Sequence, residues 1–257
     1  MTVQEQYAVL FVGLLFLGML VCLEIGLRLG RRTKVAEGAK QGLGIIEGAM
    51  FTLLGLLVAF TFSGAAERFE ARRHLIVEEA NDIGTAYLRV DLLPADAQPE
   101  IRDLFQRYVD SRIETYRGFR DRAKAQQDIA KSQALQNELW QKSVAAAARL
   151  NNAAATMLLL PALNAMIDIT TTRIAATENH PPAVIFSMLA AVALVSALAA
   201  GFEMGGSANR SWLHIVGYAL ILSVSVYVII DLEFPRRGLI RVDAFDHYIT
   251  DVRSSMK

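Results

Sequence analysis

The chain has 257 residues, 53% of them hydrophobic and 20% charged, with a mean hydropathy of +0.32. That is too apolar for an ordinary water-soluble domain of this length and points to a membrane protein. Basic and acidic residues balance at 26 each with both signs interspersed, so nothing in the charge pattern fits a nucleic-acid partner.

The apolar residues are segregated into four runs, Tyr7–Leu27, Leu43–Gly64, Ala183–Phe202 and Trp212–Leu232. Each is about as long as a hydrocarbon core of roughly 30 Å requires. Ahead of the first run, MTVQEQY has no basic region, and no small-residue cleavage site follows the run, so it reads as a retained helix and not a secretory leader. The single cysteine, Cys22, lies inside it and has no intrachain disulfide partner. Glu24 and Arg28, at i and i+4, are placed to pair on the helix surface.

The second run, LLGLLVAFTFSG, continues without a turn signal into AAERFEARRHLIVEEANDIGTAYLRVDLL. One helix over Gly42–Leu92 is therefore expected to leave the bilayer and keep going. Pro94 ends it, and ADAQPE with Pro99 marks a turn and a new helix start. Beyond, Ile101, Leu104, Phe105, Tyr108, Val109 and Ile113 recur at helical spacing. A break is expected around Gly118–Asp128, then a long helix over Ile129–Leu160, a kink at Pro161, and a stop at His180, Pro181 and Pro182 before the third span. The expected fold is all-α, an integral membrane protein with four transmembrane helices and a helical soluble insert. Residues 1–64 hold spans one and two, 65–182 the insert, 183–232 spans three and four, and 233–257 a C-terminal soluble segment.

On the second span Gly44, Gly48, Phe51, Gly55, Ala59 and Phe62 share one face, with Thr52 and Ser63 beside it. Such a face either lets helices approach closely or lines a conduit, in which Phe51 and Phe62 would form apolar constrictions. Glu47, one turn into the same span, is a candidate pore-entrance charge, and Glu203 and His214 lie on the same membrane side. On the other side, Glu67, Arg68, Glu70, Arg72, Arg73 and His74 leave the second span, while Asp231, Glu233, Arg236 and Arg237 leave the fourth, as expected of salt-bridged junctions. Glu78, Glu79 and Asp82, or Asp168 with Thr170–Thr172, supply oxygens, but on continuous helix and not in a calcium-binding loop, so no metal site is assigned. There is no HExxH, no GxSxG, no phosphate-binding glycine loop and no cysteine–histidine spacing, so the chain is read as neither an enzyme nor a cofactor protein.

The segments LLVAFTFSGAAERFEARR, VEEAND, GTAYLR, LLLPALNAMIDITTTR, RSWLHIVGYA and YVIIDLEFPRRGLIRVDAFD occur in order and resemble the bacterial bestrophin-like membrane family. The resemblance implies an analogy to bestrophins: pentameric anion channels with four membrane helices per subunit, a helical cytosolic region between the second and third, and a pore lined by the second. It carries no individual functional residue onto this chain. Positive residues on the two sides, Arg31, Arg32, Lys34 and Lys40 against Arg68, Arg72, Arg73, Arg173, Arg236, Arg237 and Arg241, roughly cancel, so the resemblance decides for a cytoplasmic insert. The expected function is an oligomeric ion channel of the bacterial inner membrane, passing inorganic ions along the second span, with the ion selectivity left open. The alternative is a membrane-anchored helical scaffold or signalling partner without transport.

Overall fold

The structure, a computed structural model, describes residues 3–33, 37–117, 122–150, 152–205 and 212–256. Among them every regular element is helical: α1 (Val3–Arg32), α2 (Glu37–Leu88), a 3-10 turn (Arg89–Leu92), α3 (Gln98–Arg117), α4 (Arg122–Ala147), α5 (Ala153–Glu178), α6 (Ala183–Met204), α7 (Trp212–Glu233), a second 3-10 turn (Asp243–Asp246) and α8 (His247–Ser255). Four helical stretches are long and apolar enough to cross a membrane: Gln6–Arg32, Gly42–Leu92, Ala153–Met204 and Trp212–Glu233. The chain divides into two compact units, residues 1–67 with 180–239 and residues 68–179 with 240–257. The long helix expected from Gly42 is present as α2, 52 residues without a break, and it contributes to both.

In the first unit α1 packs against α6 and α7 around Leu15, Met19, Leu23, Leu189, Ala193, Ala197, Ile215, Ala219 and Val226. In lipid, helices gain little from burying more apolar surface, and close backbone approach is what holds them together. Glycines supply it here. A β-carbon at Gly26 would fall on the Leu198 carbonyl, one at Gly30 on that of Phe202, and one at Gly201 on that of Leu23. Gly205 lies against the backbone of Gly30 and Arg31. Gly26 and Gly30 on α1 thus face Gly201 on α6 and Gly205 at its C-cap, two small-xxx-small pairs. The glycines of α2 differ, because a β-carbon at Gly42, Gly48 or Gly55 would meet nothing within 4 Å. Only 11% of the apolar stretch of α2 is buried, against 33% of that of α7.

The second unit has its own core of Ile76, Ile83, Leu104, Phe105, Tyr108, Leu139, Leu163 and Met166. Two expectations change there. The long helix expected through Leu160 stops at Ala147, because Asn152 caps a new helix by accepting from the Ala155 amide, and Pro161 lies inside α5 rather than at its end. One carbonyl near that proline, Leu158 O, accepts a hydrogen bond from Arg89. The break expected from Gly118 falls partly on 118–121, and Lys34 and the Lys40 side chain likewise lie outside the described residues. Residues 240–257 belong to this unit, with Val242, Ile249 and Met256 buried in its core and Arg253 forking onto both oxygens of Asp110 at 2.8 and 3.0 Å.

Replacing Gly26 or Gly201 by valine should push α1 and α6 apart and cost about 3 kcal/mol or more, since the obstructing atoms are backbone. Gly55→Ala should be neutral or stabilising by up to about 1 kcal/mol. Thermal unfolding of the three variants in detergent checks both.

Candidate functional site

The membrane half of α2 presents three edges. One is packed: Glu47, Leu54 and Ala65 are buried, with Phe51, Val58 and Thr61 half-buried between them, spaced i, i+4, i+7. Phe51 meets the Tyr218 ring edge-on at 5.7 Å between centroids, and a β-carbon at Gly44 would lie 3.8 Å from Glu203 Oε1. Glu47 itself is only 8% exposed. A second edge is large and aliphatic, with Ile46, Leu53 and Phe60 exposed. The third carries Gly48, Thr52, Gly55, Ala59, Phe62 and Ser63, all six exposed. Of the residues singled out in the sequence, six thus share an open face, while Glu47 and Phe51 sit on the packed one. The Thr52 hydroxyl on the open face donates to its own helix at Gly48 O, 2.8 Å away.

The junction residues are held by hydrogen bonds to backbone and by ring contacts as well as by ion pairs. Arg72 is buried and donates to the carbonyls of Ala176 and Asn179, both at 2.9 Å, closing the C-terminus of α5. Arg73 pairs with Glu70 and lies over the Phe245 ring, 4.1 Å from its centroid. In the other unit both oxygens of Asp231 accept from the Leu239 amide at 3.0 Å, and His180 lies 3.4 Å from Glu233 and stacks at 4.7 Å on Phe234. The short Arg28–Glu24 pair on α1, at 2.8 Å, is present as expected.

Along its second half α2 is anchored by buried charge. Glu79 is fully buried and accepts from Arg112 Nε at 2.7 Å, from the Tyr116 hydroxyl at 2.6 Å, and from Arg173. Both guanidiniums also lie over the Tyr116 ring, at 4.9 and 4.0 Å. One carboxylate thus ties α2 to α3 and α5. Burial alone would raise the Glu79 carboxyl, but Arg112 and Arg173, with the hydrogen bonds from Arg112 and Tyr116, outweigh it and hold the group at about 2 against an ordinary 4.5. Burial pushes the Tyr116 and Tyr108 hydroxyls up. Asp82, one turn further along α2, is raised by desolvation and then by Glu78 and Glu79. The acidic trio considered in the sequence is therefore split, with Glu79 committed to arginines and Glu78 turned away from them. Asp168 accepts from Asn164 at 2.6 Å, and among the described residues no group of three or more His, Cys, Asp and Glu is placed to hold a metal ion.

Sequence reasoning did not find the Glu79–Arg112–Arg173 group. Its members are 33 and 94 residues apart, and the one available signal, an acid and two arginines inside otherwise apolar helical stripes, does not pair them.

These elements define a multi-pass, all-helical membrane protein. The chain belongs to the bestrophin-like family: the family model described as "Bestrophin-like domain" matches residues 13–244. No curated protein and no solved structure matches it significantly.

A depressed acid adds stability that is fully present above its ordinary value and is lost as the pH falls through its folded value. Glu79 should therefore contribute about 3 kcal/mol at neutral pH, disappearing between pH 4.5 and about 2. Glu79→Gln leaves two arginines without their counter-charge and should cost about 3–5 kcal/mol at pH 7. Thermal unfolding followed by circular dichroism across that range should show a flatter acid limb for the variant.

Proposed function

We propose that the chain is one subunit of an oligomeric ion channel of the bacterial inner membrane, with the open face of α2 lining the pore. The carrying observation is a contrast within one unit. The exposed face of α1 is built from large aliphatics, Leu10, Leu14, Leu17, Val21 and Ile25, as lipid requires. The exposed edge of α2 with Gly48, Thr52, Gly55, Ala59 and Ser63 is, apart from Phe62, small and partly polar, and a β-carbon at Gly48 or Gly55 would meet nothing within 4 Å among the described residues. A narrow four-helix subunit encloses no conduit by itself, so such an edge serves a neighbouring copy or a water-filled axis. Membership of the bestrophin-like family, known for channels, supports the second. Five subunits and a cytoplasmic second unit follow from the bestrophin analogy alone.

The scaffold reading has one observation in its favour. The Thr52 hydroxyl on the open edge is spent on its own helix, at Gly48 O, and so offers no free donor to an anion.

The two readings separate in liposomes. With Cys22→Ser as background, Thr52→Cys, Gly55→Cys and Ser63→Cys should each carry ion flux that a charged thiol reagent reduces several-fold, while Val21→Cys on the lipid face of α1 is unaffected. The reversal potential under a salt gradient then reports the sign of the permeant ion. Absence of flux under every gradient and potential would leave the scaffold.

A further inference from the structure

The turn that follows the fourth span has features that a pore on α2 does not use. Beyond Glu233 the chain folds back at once, with the amides of Arg237 and Gly238 donating to the Phe234 carbonyl at 2.9 and 3.3 Å. The turn is held at both ends. Phe234 packs on the His180 ring at 4.7 Å between centroids, and the Leu239 amide donates to both carboxylate oxygens of Asp231 at 3.0 Å. A β-carbon at Gly238 would fall on that carboxylate, so glycine is what lets the chain return so closely.

The return fixes a depth. Asp231 lies inside the apolar stretch Trp212–Glu233, and the Leu239 amide is bound to its side chain. Having left α7, the chain therefore comes back to within about one helical turn of the end of the span. At that level Leu239 is 79% exposed. A leucine so exposed at the margin of the hydrocarbon is within reach of acyl chains, as is Leu213, 81% exposed beside Trp212 at the opposite end of α7.

The charge of the turn is positive. Its acids, Asp231 and Glu233, are buried, whereas Arg236 and Arg237 are half-exposed. Arg236 is engaged within the chain, but among the described residues the Arg237 side chain has no hydrogen-bond, carboxylate or ring partner. A guanidinium without a counter-ion just outside a membrane span is placed to take a headgroup phosphate, which its planar fork can hold through two parallel N–H bonds.

We propose that the turn Phe234–Leu239 is a binding site for one anionic phospholipid, with Arg237 on the headgroup phosphate and Leu239 against the upper part of an acyl chain. A zwitterionic lipid brings its own cation to the same phosphate, so lipids of net negative charge are favoured. The site stands whether or not α2 lines a pore.

The full chain in lipid nanodiscs tests this, with Cys22→Ser as background and a bimane fluorophore on Leu239→Cys. Lipid brominated near the carboxyl end of its acyl chains should quench the label, and aqueous iodide should not. At equal mole fraction, phosphatidylglycerol spin-labelled high on its acyl chain should quench several-fold more than phosphatidylcholine labelled at the same place. Arg237→Gln should bring that preference close to the phosphatidylcholine level, a loss of about fivefold, as one basic residue at an anionic surface supplies. Arg237→Lys should keep most of it. Because the Arg237 side chain has no partner in the fold, both variants should retain the wild-type circular dichroism spectrum. A preference that inorganic phosphate abolishes and chloride of equal ionic strength does not would identify a soluble-anion site. That result, quenching by iodide alone, or an unchanged preference in Arg237→Gln overturns the proposal.

Discussion

The backbone contact between α1 and α6 is the constraint on which the membrane unit depends. Lipid is as apolar as a leucine side chain, so these helices cannot be held by exclusion of water, and their adhesion comes from close atomic contact. Gly26, Gly30, Gly201 and Gly205 bring the two main chains together where any β-carbon would strike a carbonyl or another backbone atom. With α7 added through Ile215, Ala219 and Val226, three helices already form a closed packing. The fourth apolar helix is then free to attach by one edge only. That is the physical origin of the low burial of α2, and of its having faces to spare.

The two halves of α2 are secured by different chemistry. In the second unit the helix is fixed by desolvated charge, through Glu79 with Arg112 and Arg173, and by Arg72 on the end of α5. Such groups are stiff, because moving any partner exposes a buried charge without its counter-charge. In the membrane unit α2 has the thin stripe of Glu47, Phe51, Leu54 and Val58. A long helix clamped firmly along one half and lightly along the other concentrates any freedom of movement in the lightly held half, which is the half bearing the open small-residue edge.

How far all this was legible depends on the kind of interaction. Helix type and the four spans could be read because apolar periodicity and span length are local properties, and Pro94 marks an end that the structure keeps. The boundary at Ala147 was not legible, since its cap, Asn152, is one asparagine among several and Pro161 was the louder signal. Proline proved tolerable inside α5, whereas the helix before it did not continue past Ala147. Small residues recur at close-packing intervals on α1, α2 and α6 alike. Spacing reports that a helix can be approached closely, not by what, and only the assembled unit shows that α1 and α6 use it on each other. Glu47 was legible as an ionisable group at membrane depth, but the approach of Glu203 to α2 at Gly44 joins positions on separate helices, a tertiary fact.

The three edges of α2 also bear on why its residues are distributed as they are. A helix that merely rested on its neighbours in lipid would need two kinds of surface, one to pack and one to face acyl chains, and α1 is built that way, with Met19 and Leu23 inside and Leu10, Leu14 and Leu17 outside. α2 has both of these, in the Glu47–Val58 stripe and the Ile46–Phe60 edge, and a third besides. The third edge is not a weaker version of either, since glycine lowers helix stability by about 1 kcal/mol relative to alanine and gives lipid little to hold. That surface is kept at this cost although a β-carbon at Gly48 or Gly55 would meet nothing within 4 Å among the described residues. Close approach of a second helix and passage of water and ions are the two uses that small residues serve in a bilayer, and an edge of this width has room for both.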